Sequence, residues 1–303
     1  MFRRQLRADL VLLLVTAIWG TTFVVVKDAV ACTPVFTFLA IRFALATAAM
    51  LPLLRWPWLM SRLAPSSPGN PLPRSPLGPG ALLGFFLFAS YGFQTSGLQA
   101  TTPARAAFIT GLSVVFVPLL GALFWRRLPP PAALLGVLLA TAGLALLSLQ
   151  ADLSVNRGDL LVLGCAVALA LHILTTGVFA PRSDPLRLTG VQLLTVALLS
   201  GLVALLWERP LTLPSPSVCF AAIFTGLLAS TFAFGAQTVA QRFTSATHTA
   251  LIFVSEPVFA ALFSYALGRE VLTARAWLGC GLILAGMLAA ELGPSLWGKW
   301  RRR

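Results

Sequence analysis

The chain has 303 residues, of which 58% are apolar and only 10% charged, against a charged share of roughly 25% in soluble domains. That balance excludes a soluble globular protein and leaves a polytopic membrane protein, since a chain of this size has no interior in which to hide so much apolar surface. The net charge of +13 does not point to nucleic acid, because no basic helix face or aromatic-interleaved patch accompanies it.

About ten apolar segments approach the roughly 20 residues that a bilayer crossing needs. They are predicted at 9–27, 34–54, 80–98, 104–125, 132–150, 158–178, 188–206, 217–240, 247–266 and 274–296. The first follows Arg3-Arg4 like a signal peptide, and Ala29-Val30-Ala31-Cys32 resembles a lipoprotein cleavage site. Lys27-Asp28 interrupts the run and a long membrane region follows, so an uncleaved first helix is expected. Between the second and third segments, residues 56–79 carry seven prolines with Ser, Gly and Asn between them. Such a stretch predicts a flexible cytoplasmic linker, with a docking motif for Pro-binding partners as the weaker alternative. Segments five and ten carry small residues at helical spacing, Gly136, Ala140 and Gly143 in one and Gly281, Ala285 and Ala289 in the other. These faces let helices approach closely in lipid and predict structural packing or a homodimer contact. Six tryptophans at segment ends (Trp56, Trp58, Trp125, Trp207, Trp297 and Trp300) read as interface anchors. Cys32, Cys165, Cys219 and Cys280 lack metal-ligand spacing and read as small packing residues; a Cys32–Cys219 disulfide near the outer face has nothing further to support it.

The second set of five segments echoes the first. Trp19-Gly20 precedes Leu169-Ala170 by 150 positions, and Arg42 precedes Gln192 by the same 150. Leu87-Phe88-Ala89-Ser90 answers Leu227-Leu228-Ala229-Ser230 at 140, Pro118 answers Pro257 at 139, and Gly136 and Gly143 answer Gly279 and Gly286 at 143. The longer linker at 55–79, compared with 207–216, accounts for the change of offset. Five is odd, so two similar five-segment halves, 1–150 and 151–303, are expected to sit in the membrane with opposite orientation. Inverted repeats of this kind are typical of secondary transporters. The expected fold is all-α, ten transmembrane helices as two inverted five-helix repeats.

Charge sets the orientation. Arg3, Arg4, Arg7, Arg55, Arg62, Arg74, Arg126, Arg127, Arg182, Arg187, Arg242, Lys299, Arg301, Arg302 and Arg303 fall on one side, fifteen in all. The other side holds six, Lys27, Arg105, Arg157, Arg209, Arg269 and Arg275, with Arg42 inside a segment. Both termini are therefore expected to be cytoplasmic.

The buried polar groups are the candidate functional residues. Glu256 lies about 14 Å into its segment, near the midplane of a roughly 30 Å core. An ionisable group there is a functional candidate, and the alternative is a structural Glu bonded to a neighbouring helix or to Arg42. Pro257 removes a backbone donor, which frees carbonyls near Phe253 or Val254 to line a cavity. Arg42, about 12 Å from its helix end, cannot deprotonate and must find an anion, carbonyls or water. A fixed structural partner is the preferred reading for it, and a substrate carboxylate the sharper one. His172 reads as a hydrogen-bonded neutral histidine or, less simply, a proton relay; His248, at the cytoplasmic edge of its segment, reads as ordinary. Trp19, Tyr91, Gln94, Thr110, Gln192 and Gln237 are polar or amphipathic groups within segments that could line a cavity.

Several stretches resemble the drug/metabolite transporter superfamily, EamA type. They are Ala17-Ile18-Trp19-Gly20-Thr21-Thr22-Phe23 with Val26-Lys27-Asp28-Ala29, Ala40-Ile41-Arg42-Phe43, Ala107-Phe108-Ile109-Thr110-Gly111-Leu112 through Val117-Pro118-Leu119, and Ser255-Glu256-Pro257-Val258. The resemblance covers nearly the whole chain. It implies a ten-helix inverted-repeat transporter, with helices 1–4 and 6–9 around a central cavity and 5 and 10 outside it. It also implies export of small metabolites, amino acids or drugs across the inner (plasma) membrane of a bacterium. The chain departs from the pattern in the 56–79 linker and in the turn Arg126-Arg127-Leu128-Pro129, whose counterpart Gly268-Arg269-Glu270 keeps a family-like acidic residue.

Among function classes, an ATP-driven pump lacks its G-x-x-x-x-G-K-[ST] loop. A membrane-embedded enzyme would want clustered acids, a His/Glu metal pair or an activated Ser, while Arg42, His172 and Glu256 occur one per segment. A non-transporting sensor would add a soluble signalling domain. The expectation is a secondary carrier of a small organic solute working by alternating access. Proton coupling through Glu256 is a further hypothesis; no catalytic residue, metal or cofactor is expected, and the expected partners are the solute and membrane lipids.

Overall fold

A computed structural model describes residues 2–55, 75–126, 129–148, 155–209, 215–266 and 273–300. Among them the chain is helical and has no strand. In order the helices are α1 (Phe2–Gly20), α2 (Thr22–Cys32), α3 (Val35–Leu54), α4 (Leu77–Leu98), α5 (Pro103–Gly111), α6 (Ser113–Trp125), α7 (Pro131–Ser148), α8 (Arg157–Phe179) and α9 (Pro185–Trp207). There follow α10 (Pro216–Phe224), a π-helical stretch (Thr225–Phe232), α11 (Ala233–Ala240), α12 (Ala246–Phe253), α13 (Glu256–Ala266) and α14 (Ala274–Trp300). Among the described residues eight stretches are long and apolar enough to cross a membrane: Arg4–Cys32, Val35–Leu54, Leu77–Leu98, Pro103–Trp125, Arg157–Arg182, Pro185–Trp207, Pro216–Ala240 and Ala246–Phe263. The fifth and tenth predicted segments fall on shorter apolar helices, Pro131–Leu147 and Ala274–Ala290. The chain is thus an all-helical membrane protein.

The helix starts follow local chemistry. Thr102-Pro103, Asp184-Pro185 and Ser215-Pro216 each place a capping oxygen before a proline at the first helical position, where its missing N–H costs nothing. Asn156 and Asp159 form a reciprocal capping box at the start of α8. α6 ends at Arg126, which is left-handed with φ of 52°, a helix-terminating conformation usually given to glycine. Its neighbours Arg127 and Leu128, and the counterpart Gly268-Arg269-Glu270, lie outside the described residues, as do Trp56, Trp58 and residues 56–74 of the predicted linker. The last residues of that linker are helical instead, because α4 starts at Leu77. Trp125 and Trp207 stand exposed at helix ends.

Two seams fix how the helices meet. α7 and α14 pack antiparallel with reciprocal glycine contacts. A Cβ on Gly143 would lie 2.6 Å from the Gly279 carbonyl, and one on Gly136 would lie 2.7 Å from that of Gly286. The two glycine pairs that echo each other in sequence therefore meet crosswise in space, the first glycine of each against the second of the other. Gly281 has open space around it, and it and Ala285 face outward. At one end of the bundle polar groups tie neighbouring helices together. Asp159 accepts from Thr101 Oγ1 (2.6 Å) and pairs with Arg105 Nη2 (2.7 Å), and Lys27 Nζ donates to the Thr101 carbonyl (2.9 Å). Beside them Glu208, just past the end of α9, accepts from the backbone N–H groups of Phe36 and Thr37 at 2.9 and 2.7 Å, satisfying orphan donors at the start of α3. At the other end His248 Nε2 lies 3.2 Å from Asp9 Oδ1, so this histidine has an acidic partner. Cys32 and Cys219 are both free thiols.

Two stability predictions follow from these contacts. Gly143→Ala should lower stability to unfolding in detergent by about 1–3 kcal/mol, because backbone rather than a flexible side chain must yield, while Gly281→Ala leaves it unchanged. Asp159→Ala removes an acceptor shared by Thr101 Oγ1, the Arg105 guanidinium and the Asn156 N–H. With Arg105 partly exposed the expected loss is about 1–3 kcal/mol, read as a lowered thermal midpoint in the same detergent.

Candidate functional site

Arg42 and Glu256 converge on one small cavity among α1, α2, α3, α4, α5, α8, α11 and α13. Its lining comprises Trp19, Thr22, Phe23, Val26, Arg42, Ser90, Tyr91, Gln94, Leu98, Thr110, Leu169, Phe234 and Glu256. The open space is about 40 Å³, room for a few waters. Six of the nine predicted residues line it: Arg42, Glu256, Trp19, Tyr91, Gln94 and Thr110. His172, Gln192 and Gln237 do not.

Arg42 reaches the cavity from the middle of α3 and is 1% exposed. Its Nε donates to Ser230 Oγ (3.0 Å) and its Nη2 to Tyr91 OH (3.2 Å). The guanidinium also lies 4.6 Å from the centroid of the Tyr91 ring and 5.3 Å from that of Phe43, so two aromatic faces attract its charge. Both hydrogen-bond partners are neutral. Two of its five N–H donors are thus used, and no carboxylate among the described residues pairs with it. The ion pair with Glu256 considered from the sequence is absent, although both side chains line the same space.

Glu256 opens α13 at the point where the ninth predicted segment breaks. α12 ends at Phe253, and Val254-Ser255 turn before the helix restarts, in keeping with the donor that Pro257 lacks. The break is tied to α1 by a hydrogen bond between Ser255 Oγ and Thr16 Oγ1 (3.1 Å). Gly20 leaves room for this close approach, since a Cβ there would stand 2.9 Å from the Glu256 carbonyl. Among the described residues no hydrogen bond or ion pair holds the Glu256 carboxyl.

Aromatic rings shape the rest. Trp19 packs against Phe234 at 5.3 Å and Phe253 at 5.0 Å, and its Nε1 donates to the Ala229 carbonyl (2.8 Å). Gln94 donates to Thr110 Oγ1 (3.2 Å). Behind that wall Cys165 Sγ lies 3.3 Å from Ser90 Oγ.

The three remaining predicted residues belong to neighbouring polar contacts. His172 Nε2 meets Gln192 Oε1 at 2.9 Å, and Gln192 Nε2 donates to Thr238 Oγ1 at 3.4 Å. The Phe234 ring, itself part of the cavity wall, packs edge-on against His172 at 5.8 Å. Gln237 donates to Gln241 (2.9 Å), which donates to the Ile173 carbonyl (3.0 Å). Ser90, Thr22 and Phe234 line the cavity without having been singled out by sequence as site residues, and Ser230 contacts Arg42. Ser90 and Ser230 nevertheless stood out as the matching last residues of the repeated tetrapeptide.

A second cavity of about 300 Å³ opens toward the end that carries Trp125, Gly177 and Thr244 through Thr247. It shares three spans with the first. Between the two, Ser113, Val114, Ile173, Leu251 and Val254 are all buried. The break at Leu112 and the break at Val254-Ser255 both fall in this septum.

Comparison with known proteins gives these features a family. The profile of the EamA-like transporter family matches residues 6–149 and 156–290. An uncharacterized transporter of Archaeoglobus fulgidus is 32% identical over 290 residues, covering 95% of this chain and 87% of that protein. The uncharacterized inner membrane transporter YedA of Escherichia coli is 28% identical, covering 92% and 89%. A solved crystal structure superposes with a TM-score of 0.76 at 21% identity, covering 94% of this chain and 96% of its own, a likeness of fold. With its profile matched across both stretches and a relative of this identity along nearly its full length, the chain belongs to the EamA-like transporter family.

Proposed function

We propose that this protein is a secondary carrier that moves a small organic solute, such as an amino acid, a nucleoside-like or a drug-like compound, by alternating access. In this reading ten transmembrane helices form two inverted five-helix repeats, residues 1–150 and 151–303, with both termini in the cytoplasm, and the direction is export. The excess of Lys and Arg on one set of loops supports the orientation. The reciprocal contacts of Gly136 with Gly286 and Gly143 with Gly279 support the repeat. The outward stripe of Gly281 and Ala285 is the surface we assign to a homodimer contact.

The observation that carries the reading is that buried Arg42 and half-buried Glu256 line one cavity without neutralising each other. An unpaired charge at membrane depth costs several kcal/mol and marks substrate or ion pathways. Arg42 would take an anionic group of the solute through its remaining donors, as a planar guanidinium does well. Glu256 would carry the proton whose release accompanies solute binding. The aromatic walls of Trp19, Tyr91 and Phe234 would take the apolar part. A space of about 40 Å³ is far below the roughly 300–1,000 Å³ of a ligand pocket. Loading therefore requires the helices to part, and the breaks at Leu112 and Val254-Ser255 supply hinges between this site and the larger cavity.

The test is flux in proteoliposomes for a panel of amino acids, nucleosides and cationic drugs, with and without a pH gradient. Wild type should move at least one solute faster with the gradient. Glu256→Gln should abolish that acceleration and retain solute exchange; full pH-driven flux in this variant ends the coupling idea, and no flux for any solute ends the carrier reading. Arg42→Lys keeps the charge but loses the fork that serves Ser230 and Tyr91 together. It should raise the KM for a carboxylate-bearing solute at least about tenfold, measured as initial rates in the same vesicles.

A further inference from the structure

The span Pro216–Ala240 contains the one π-helical stretch among the described residues, Thr225–Phe232. π turns replace the i→i+4 ladder by i→i+5 and occur preferentially at functional sites. Here three consecutive residues of the turn reach three different partners. The Ala229 carbonyl accepts from Trp19 Nε1 at 2.8 Å, Ser230 Oγ accepts from Arg42 Nε at 3.0 Å, and Thr231 Oγ1 lies 3.0 Å from the Ala46 carbonyl of α3. Thr231 Oγ1 also lies 3.1 Å from the Gly226 carbonyl, five residues back. Gly226 itself lies against α3, where a Cβ would stand 2.8 Å from the Arg42 carbonyl. The turn thus docks on α3 around Arg42, through Gly226 beside its backbone, Ser230 on its side chain and Thr231 one helical turn further along.

The first half supplies an internal comparison. Leu87-Phe88-Ala89-Ser90, the echo of Leu227-Leu228-Ala229-Ser230, lies in the regular helix α4. There Ser90 Oγ contacts Cys165 Sγ at 3.3 Å and no guanidinium. The same tetrapeptide ending does different work in the two helical registers.

We propose that Ser230 is a positioning residue for Arg42, and that the π turn is the device that aims it. With Nε held by Ser230 and Nη2 by Tyr91, the guanidinium is fixed at two points and its remaining donors are directed to the cavity. Removing one residue from the turn restores the α-helical count, swings Ser230 off α3 and unlocks Arg42. Two lipid-side leucines, Leu227 and Leu228, are 46% and 38% exposed, so Leu228 can be deleted without cutting into the core. The functional half of this proposal rests on the carrier reading; the positional half does not.

Two readouts separate them. The first is peptide-mapped labelling of arginines by phenylglyoxal in detergent-solubilised protein, which needs no solute. Arg42 should be protected in wild type and labelled several-fold faster in Ser230→Ala and in the Leu228 deletion, with the labelling of Arg209 unchanged. The second is uptake: Ser230→Ala should raise the KM for a carboxylate-bearing solute about tenfold, the effect of losing one charge-assisted hydrogen bond, and leave the maximal rate within about a factor of two. Unchanged Arg42 labelling in both variants overturns the proposal, even if the deletion variant is less stable, because Ser230→Ala preserves the helix. Raised labelling with an unmoved KM, while Arg42→Lys raises it, overturns the functional half and leaves carrier activity standing. If wild type moves no solute, the carrier reading fails and labelling alone decides the role of Ser230.

Discussion

Within the hydrocarbon layer, water does not rescue an unpaired N–H or C=O, so every backbone group must find its partner inside the protein. That constraint makes the chain helical almost throughout and decides where it can stop being helical. The span Arg4–Cys32 is interrupted after Gly20, Pro103–Trp125 at Leu112 and Ala246–Phe263 at Val254-Ser255, and Pro216–Ala240 widens at Thr225–Phe232. Each departure is covered by other parts of the chain. Thr21 N–H returns to the Ile18 carbonyl, Leu112 N–H to that of Ile109 and Ser255 N–H to that of Ile252, while the Ala229 carbonyl meets an indole. Irregular backbone in a membrane protein is tolerated where protein or a cavity receives it, and here it gathers around a single cavity.

Much of this was legible in the residues. Ten apolar runs located the helices, since runs of that length with so few charges have few other solutions. Of the four irregularities, only the one at Val254-Ser255 had a visible signal, Pro257. The break at Leu112 sits beside Gly111, six residues before Pro118, and the π turn holds Gly226, but glycine and proline are common in membrane helices and give no specific warning there. Arg42 and Glu256 stood out because ionisable groups at that depth are rare. Ser90 and Ser230 were visible only as matching ends of the repeated tetrapeptide and not as site residues, because small hydroxyls are ordinary in such helices and usually bond to their own backbone. Thr47, Thr141 and Thr195 do so here, each donating to the carbonyl four residues back. His172, Gln192 and Gln237 have the depth but not the facing. A helix apolar on all sides carries no periodic stripe that would tell which way a lone polar residue points.

The polar interior divides into sets with different degrees of satisfaction. Gln192 bridges His172 and Thr238, and Gln241 bridges Gln237 and a helix carbonyl, giving closely held contacts between helices. The cavity set is held more loosely at its ionic members, a guanidinium with two neutral acceptors and a carboxyl without a partner among the described residues. Buried polar groups left short of partners are costly, and since His172 Nδ1 and Gln237 Oε1 also lack partners among the described residues, the cost is shared between the cavity and the contacts behind it.

Glu208 has a consequence for how such a protein can move. It belongs to the second half of the sequence, yet its carboxylate caps the first turn of α3 in the first half. The glycine seam likewise joins α7 of one half to α14 of the other at distances that admit no side chain. A motion that parted the halves as two blocks would uncap the start of α3 and pull apart interlocked backbones. In the carrier proposed above, the units that travel together would be pairs drawn from both halves, α3 with α9 and α7 with α14. The interrupted helices between them would take up the motion, so the symmetry of the sequence and the partition into moving bodies would run along different lines.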